Sequence, residues 1–489
     1  MTFRRLIKIF FALLPSFTYY YFDRRKALKS EDLREHYSSM RNHAKKMVDK
    51  FMELGPAFIK LGQLLSVRAD VLPQPYMDEF VRLQDQVPPA KFEEIKKTLD
   101  EDLGNISTLF EEFNPVPISA ASLGQVHEAK YKGKSVVVKV LRPGIDKIIE
   151  EDVSVIRRLL PLLSIFIGRA FLNSFRAAVD QFYDTVYDEM DYIKEAENMK
   201  KLKAMLSPYS YVIVPDTFPE VSTKRIIVME RIDGIKVTDV QNLDKNKIDR
   251  TKIASMLSRL YLVMVLKMEI FHADPHPGNI SILNDGKIVL YDFGMVGSLS
   301  KDMRDKMMWL YMALATRNTD DMIDALIDLE VLDPFVNRYV IAKGIEMALN
   351  EMEGFKVSES DVRMLMYAAN RVIYRFPFRL PKQLVLYLRM GLMLDSVCRT
   401  LDPEFNFIQT LPSLFEQEGL YREYYVFRVK QIAGRVTKYL DSALRLPTLM
   451  QEYYQLEIER ERKGSSVYWG VAGLILGFVI AASIFFILH

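Results

Sequence analysis

Apolar residues recur along this chain at helical spacing, at strand spacing, and in one stretch with no charge at all. At the N-terminus Phe3, Leu6, Ile7, Phe10, Leu13, Leu14 and Phe17 fall near helical spacing beside Arg4, Arg5 and Lys8. This predicts a basic amphipathic helix within 1–30, lying in a membrane interface or packed on the protein's own surface. Lys8 and Pro15 interrupt its apolar run and no small-residue cleavage site follows, which disfavours a signal peptide. A helical pattern runs from about Glu35 to Leu54, Gly55-Pro56 marks a stop and restart, and the next helix carries Ala57 to Gln63. From Pro115 the texture becomes β-rich, with strands expected at Gly124–Tyr131, Lys134–Leu141 and Lys224–Glu230. One long helix is expected between them, from about Ser174 to Leu206. Ile280–Leu283 and Lys287–Leu290, joined by Asn284-Asp285-Gly286, read as a hairpin. Beyond Ser300 the pattern is helical. The expected architecture is α+β: a helical extension (31–114), a small β-lobe (115–234) and a larger helical lobe (235–450), with a cleft between the lobes.

A linker (451–466) then leads to 467–488, which contains no charge. As a helix it rises about 33 Å, enough to cross a hydrocarbon core of about 30 Å. Arg460, Arg462 and Lys463 precede it and only His489 follows, so a single-pass, C-terminally anchored protein with its large part in the cytoplasm is expected. Gly473, Gly477 and Ala481 share one face of this helix, a small-residue pattern suited to a transmembrane homodimer.

Charge changes the picture by exclusion. With 66 Lys+Arg against 64 Asp+Glu the net charge is +2, which argues against a nucleic-acid-coating protein. The single cysteine, Cys398, has no partner for an intramolecular disulfide, and no Cys/His group has zinc-ligand spacing; a reducing, cytosol-facing compartment fits.

The chemistry concentrates in His272-Ala273-Asp274-Pro275-His276-Pro277-Gly278-Asn279, followed by Asp292-Phe293-Gly294. Phosphoryl transfer from Mg-ATP needs a carboxylate to orient the attacking oxygen, an amide oxygen for metal, and a second carboxylate between metal and phosphates. Asp274, Asn279 and Asp292 supply these in order, and the hairpin brings Asp292 back beside Asn279. Upstream, Lys139 interrupts the apolar strand Val136–Val140, where a charge needs a partner. Glu195, in the acid-rich run Glu189 to Glu195, is the candidate, and Asp191 falls four residues before it on the same expected helix face.

With Lys60-Leu61-Gly62-Gln63, these residues resemble the UbiB family (AarF/ADCK type) of atypical protein-kinase-like proteins. The resemblance runs from about Leu54 to Gly297 and includes LGPAFIKLGQLLSVRADVLP, RLQDQVPP, SAASLGQVHEA, EMDYIKEAEN and HADPHPGNI. It implies a kinase-like bilobal fold in which the helix bearing Lys60 and Gln63 covers the cleft and its lysine engages Glu189 and Asp191. It also implies that Lys139 pairs with Glu195, that Asp274 is catalytic, and that Asn279 and Asp292 bind Mg2+. ATP or ADP would lie against Ala120, Ala121, Ser122, Gly124, Val126, Lys139 and Glu230.

Three departures from a protein kinase matter. The glycine-rich loop is replaced by Ser119-Ala120-Ala121-Ser122-Leu123-Gly124, and a β-carbon at Ala121 restricts backbone approach to phosphates, so altered ATP/ADP handling is expected. Ala273 stands where an arginine commonly reads a phosphorylated activation loop. Only Met295 to Ser300 separates Gly294 from the next helical pattern, which leaves no peptide platform. The expected function is an atypical kinase or ATPase acting on a small alcohol or water, with a membrane lipid or prenylated quinone precursor as partner in isoprenoid-lipid or quinone biosynthesis. A nucleotide-gated pseudokinase scaffold of a membrane-bound biosynthetic complex is the alternative, and phosphorylation of proteins in trans is disfavoured.

Overall fold

The computed structural model describes residues 3–27, 34–66, 71–84, 89–120, 123–163, 186–352 and 382–461, with a few positions between 176 and 183. The chain divides into two compact units, Met1–Leu414 and Phe415–His489.

The extension comprises α1 (Phe3–Ala27), α2 (Arg34–Leu54), α3 (Pro56–Leu65) and α4 (Gln74–Phe80). Gly55 separates α2 from α3 at φ +103°, a conformation that L-residues rarely adopt. On the inner face of α1, Ile9, Leu13 and Tyr20 are buried. Arg5 pairs with Asp152 at 2.7 Å and donates to the Leu54 carbonyl at 2.8 Å, and the Tyr76 hydroxyl donates to Asp23 at 2.9 Å. The N-terminal helix therefore packs on its own protein, while Ile7, Phe11, Leu14 and Phe22 line an outward, exposed face.

In the smaller lobe, α5 (Phe92–Leu103) and α6 (Ile106–Leu109) precede β1 (Glu112–Phe113), β2 (Ser119–Ala120), β3 (Gly124–Tyr131) and β4 (Lys134–Leu141). α7 (Ile145–Leu163), α8 (Tyr192–Leu206) and β6 (Ile226–Glu230) follow, while β5 (Val212–Ile213), between α8 and β6, joins the sheet of the larger lobe. Strands β1-β3-β4-β6 form an antiparallel sheet, with β2 also paired to β3. Period-two alternation decides what each face does. Val136, Val138 and Val140 point into a core shared with Ile226, Val228, Ile95 and Leu99, and Lys139 points to the opposite face. Helices α5 and α6, drawn from the stretch expected to be extension, thus pack on the sheet.

The larger lobe contains β7 (Ile235–Lys236), α9 (Val240–Lys245), α10 (Arg250–Lys267), β8 (Ile270–His272), β9 (Ile280–Ile282), β10 (Ile288–Leu290) and β11 (Val296–Ser298). It continues through α11 (Lys301–Ala315), α12 (Thr319–Asp328), α13 (Arg338–Met352), α14 (Lys382–Leu401) and α15 (Phe407–Gln417). The β9–β10 hairpin pairs Leu290 with Ile280, and β11 pairs with β8 so that Gly297 lies opposite Phe271. In the second unit, α16 (Leu420–Glu461) is one long helix.

The helix expected over 174–206 is interrupted. Asp191 leaves helical geometry and its carboxylate accepts the Ile193 amide, capping α8, while the Tyr192 amide turns to the Lys224 carbonyl at 3.0 Å. An aspartate at that position competes for backbone donors and starts a new helix rather than continuing the old one. The expected span at 467–488 lies outside the described residues, as do Ala121 and Ser122. Among the described residues no helix is long and apolar enough to cross a membrane.

Candidate functional site

Lys139 is presented by β4 from the cleft face of the sheet, opposite Val126 in the β3 register. Its ammonium donates to both oxygens of Glu195 at 2.9 Å and to Asp292 Oδ2 at 2.9 Å, and lies 5.1 Å from the centre of the Tyr192 ring. Gly124 permits this packing, since a Cβ there would stand 2.6 Å from both the Tyr192 hydroxyl and the Val140 carbonyl oxygen. Burial opposes the charge on Lys139, but Asp292 and Glu195 more than offset it and hold the ammonium protonated well above its ordinary range. The same burial raises Glu195; despite Lys139 its carboxyl is pushed up to about 7. Asp292 goes the other way: burial would raise it, but the charge and hydrogen bond of Lys139 bring it down to about 2. The pair is thus split, Asp292 firmly ionised and Glu195 able to hold a proton near neutrality.

The segment after Asp292 is fixed by its neighbours. The Phe293 amide donates to Glu195 at 3.4 Å, Asn198 donates to the Phe293 carbonyl at 3.2 Å, and the Gly294 amide donates to Asp292 Oδ1 at 2.9 Å. His272 contacts the Asp292 carbonyl through Nε2 and the Tyr261 hydroxyl through Nδ1 at 2.8 Å. Burial pushes the His272 imidazole below its usual range, so it stays neutral and ties the two loops together without adding charge.

Asp274 and Asn279 meet as the spacing predicts: the Asn279 amide nitrogen donates to Asp274 Oδ2 and to its backbone carbonyl, each at 3.2 Å. Sequence reasoning missed Arg389, which reaches Asp274 Oδ1 at 3.4 Å from α14. No local signal could have found it, because it lies in an ordinary helical stretch 115 residues away.

Lys60 pairs with Glu189 at 2.5 Å, both side chains largely buried, so α3 is tied to the acidic segment. Asp191 does not join that pair; it caps α8 and faces Lys224 at 3.8 Å. Gln63 donates to the Leu83 carbonyl at 2.9 Å, within the extension. The Glu230 side chain is exposed and accepts the Asp216 amide at 3.4 Å. Ala120 pairs with Gln125 at the start of the alanine-rich loop.

The donor set suits Mg2+. Because Asn279 turns its nitrogen to Asp274, its carbonyl oxygen is the atom left for a cation, and Asp292 adds a carboxylate. Mg2+ takes one or two such protein oxygens and fills its shell with phosphate and water. Among the described residues no cluster of three His, Cys, Asp or Glu is placed to hold a metal by itself.

A model of the ABC1 atypical kinase-like domain matches residues 82–326. An uncharacterised protein encoded in the hydrogenase 1 5′ region of Clostridium pasteurianum is 32% identical over 74% of this chain and 68% of its own length. The chloroplastic protein ACTIVITY OF BC1 COMPLEX KINASE 7 of Arabidopsis thaliana is 32% identical over 86% of this chain, which spans 61% of that relative. Among solved structures, that of an Rv3197–erythromycin complex from Mycobacterium tuberculosis superposes with a TM-score of 0.51 at 22% identity, over 70% of this chain and 87% of that one. The likeness is one of fold.

Proposed function

The chain belongs to the ABC1 atypical kinase-like family, which bears out the UbiB resemblance, and from that premise we propose that it is a Mg-ATP-dependent phosphotransferase or ATPase working on a membrane-borne substrate. The observation that carries this reading is the convergence of Lys139, Glu195 and Asp292 within 2.9 Å, beside the Asp274–Asn279 contact. Lys139 holds the nucleotide phosphates, and Glu195 keeps its ammonium in place. Asp274 orients the attacking oxygen of an alcohol or of water. Asn279 and Asp292 would hold the divalent cation, whose charge would offset that of the phosphates.

A small or lipid-like acceptor suits this site better than a protein. Only six residues, Met295 to Ser300, lie between Gly294 and α11, and α3 is fastened to the acidic segment through Lys60. Membrane association draws on the uncharged run at 467–488 and on the outward apolar face of α1, where Ile7, Phe11, Leu14 and Phe22 stand beside Arg4 and Lys8. A role in isoprenoid-lipid or quinone biosynthesis follows from the family resemblance alone.

The Lys60–Glu189 pair favours a second reading: a nucleotide-gated pseudokinase in which α3 stays closed and conformation is the output. One purified full-length preparation, assayed for phosphate release, lipid phosphorylation and protein labelling beside Asp292→Asn, separates the two. Turnover lost in the variant supports the enzyme. Turnover that survives in it removes Asp292 from the cation site, and nucleotide binding without turnover in the presence of lipid favours the pseudokinase.

A further inference from the structure

Arg389 is buried to 6% exposure in the middle of α14, beyond the 82–326 stretch that the family model matches. Burying a guanidinium is costly unless it is well paired. Arg5 shows how this protein satisfies a structural arginine: both Asp152 oxygens at 2.7 Å and a backbone carbonyl at 2.8 Å. Arg389 is poorly served by comparison. Among the described residues its partners are Asp274 Oδ1 at 3.4 Å and the Met295 sulfur at 2.9 Å, a weak acceptor, and its Nε has no hydrogen-bond partner. A group this expensive and this loosely tied is poorly explained as a stability device.

Asp274 is contacted from two sides. Its Oδ2 accepts from Asn279 at 3.2 Å and its Oδ1 faces Arg389 at 3.4 Å, so both oxygens of the carboxylate are engaged. The guanidinium is carried by a helix whose Leu384, Met390, Leu394, Val397 and Cys398 are buried, so it is held from a rigid element. Ala273, immediately before Asp274, has no polar side chain that could do the same.

We propose that Arg389 is a positioning residue for Asp274, orienting its carboxylate toward the attacking oxygen. The proposal rests on the reading of Asp274 as the orienting carboxylate. The test uses full-length protein in detergent with lipid, comparing the parent with Arg389→Met, Arg389→Lys, Asp274→Asn and the double variant Arg389→Met/Asp274→Asn. The expected result is a fall in kcat for phosphate release of about tenfold or more in Arg389→Met, with KM and nucleotide Kd within about twofold and partial recovery in Arg389→Lys. In the Asp274→Asn background the same substitution changes the residual rate by less than about twofold, because the residue through which Arg389 acts is already lost. Equal falls in both backgrounds, or an unchanged kcat in folded Arg389→Met, overturn the proposal. If Arg389→Met does not fold, Arg389→Lys is compared in the two backgrounds. If the parent or the Asp274→Asn background gives no turnover, the cycle is read in unfolding temperature: non-additive shifts support the contact, and additive shifts refute it. Absence of turnover in the parent counts against the enzyme reading alone.

Discussion

Lys139 meets both carboxylate oxygens of Glu195 at 2.9 Å across 56 residues of sequence, and the same ammonium bonds Asp292. One strand residue thereby joins α8 to the loop after β10, so the two lobes share a single charged centre.

Removing that centre's cation leaves two carboxylates facing each other. Lys139→Met is expected to lower stability by about 3 kcal/mol, the usual scale for stranding a buried partner, and to abolish nucleotide binding. Chemical denaturation and fluorescent-nucleotide titration check both; binding at parental affinity would refute the role of Lys139.

Glu195 sets a pH dependence with a definite sign. Its proton is retained to about pH 7 in the folded chain but to about 4.5 in the unfolded one, so between these values the folded state binds more protons. Its contribution to stability therefore falls as pH rises through that window, by about 3 kcal/mol in all, and is flat above it. His127 and His272, lowered by burial, act in the opposite direction and cancel in a comparison with Glu195→Gln. The difference between the two denaturation profiles should show this slope; a flat difference would disprove the raised Glu195.

Gly124→Ala places a Cβ 2.6 Å from a backbone oxygen and from the Tyr192 hydroxyl, so the β3–β4 register or the ring must give. A loss of about 1–3 kcal/mol is expected, with weaker nucleotide binding because Tyr192 flanks Lys139. Thermal unfolding beside nucleotide titration reads both, and parental values in each would remove the packing argument.

Lys60→Ala strands Glu189, whose other oxygen is already buried with no hydrogen-bond partner among the described residues. The expected loss is about 1–3 kcal/mol, and the double variant Lys60→Ala/Glu189→Gln should recover part of it. Additive losses in the unfolding midpoint would show that the two residues are not energetically coupled.

The outward face of α1 can be tested in a chain ending at residue 461, which lacks the uncharged run. Phe11→Asp combined with Arg4→Glu is expected to reduce sedimentation with anionic vesicles several-fold while leaving the unfolding temperature nearly unchanged, because both positions point away from the packed face. Undiminished sedimentation would assign lipid contact to another surface.

The sequence by itself determined what short-range rules govern. Four valines around Lys139 specified β4 and marked the lysine as a charge in need of a partner, Asn-Asp-Gly specified the β9–β10 hairpin, and Gly55-Pro56 split α2 from α3. The spacing from Asp274 to Asn279 and the hairpin before Asp292 likewise made most of the phosphate site legible, since each depends on a few consecutive backbone conformations. Only the tertiary structure decided which of several nearby acids does what. Glu189 and Asp191 are equivalent in composition, yet one pairs with Lys60 and the other caps a helix, because the chain turns between them. Gln63 turned to the Leu83 carbonyl, and Arg389 arrived from a distant helix with no motif around it. A buried charge must find a partner, but which partner is fixed by how separate elements pack, and linear spacing does not carry that information.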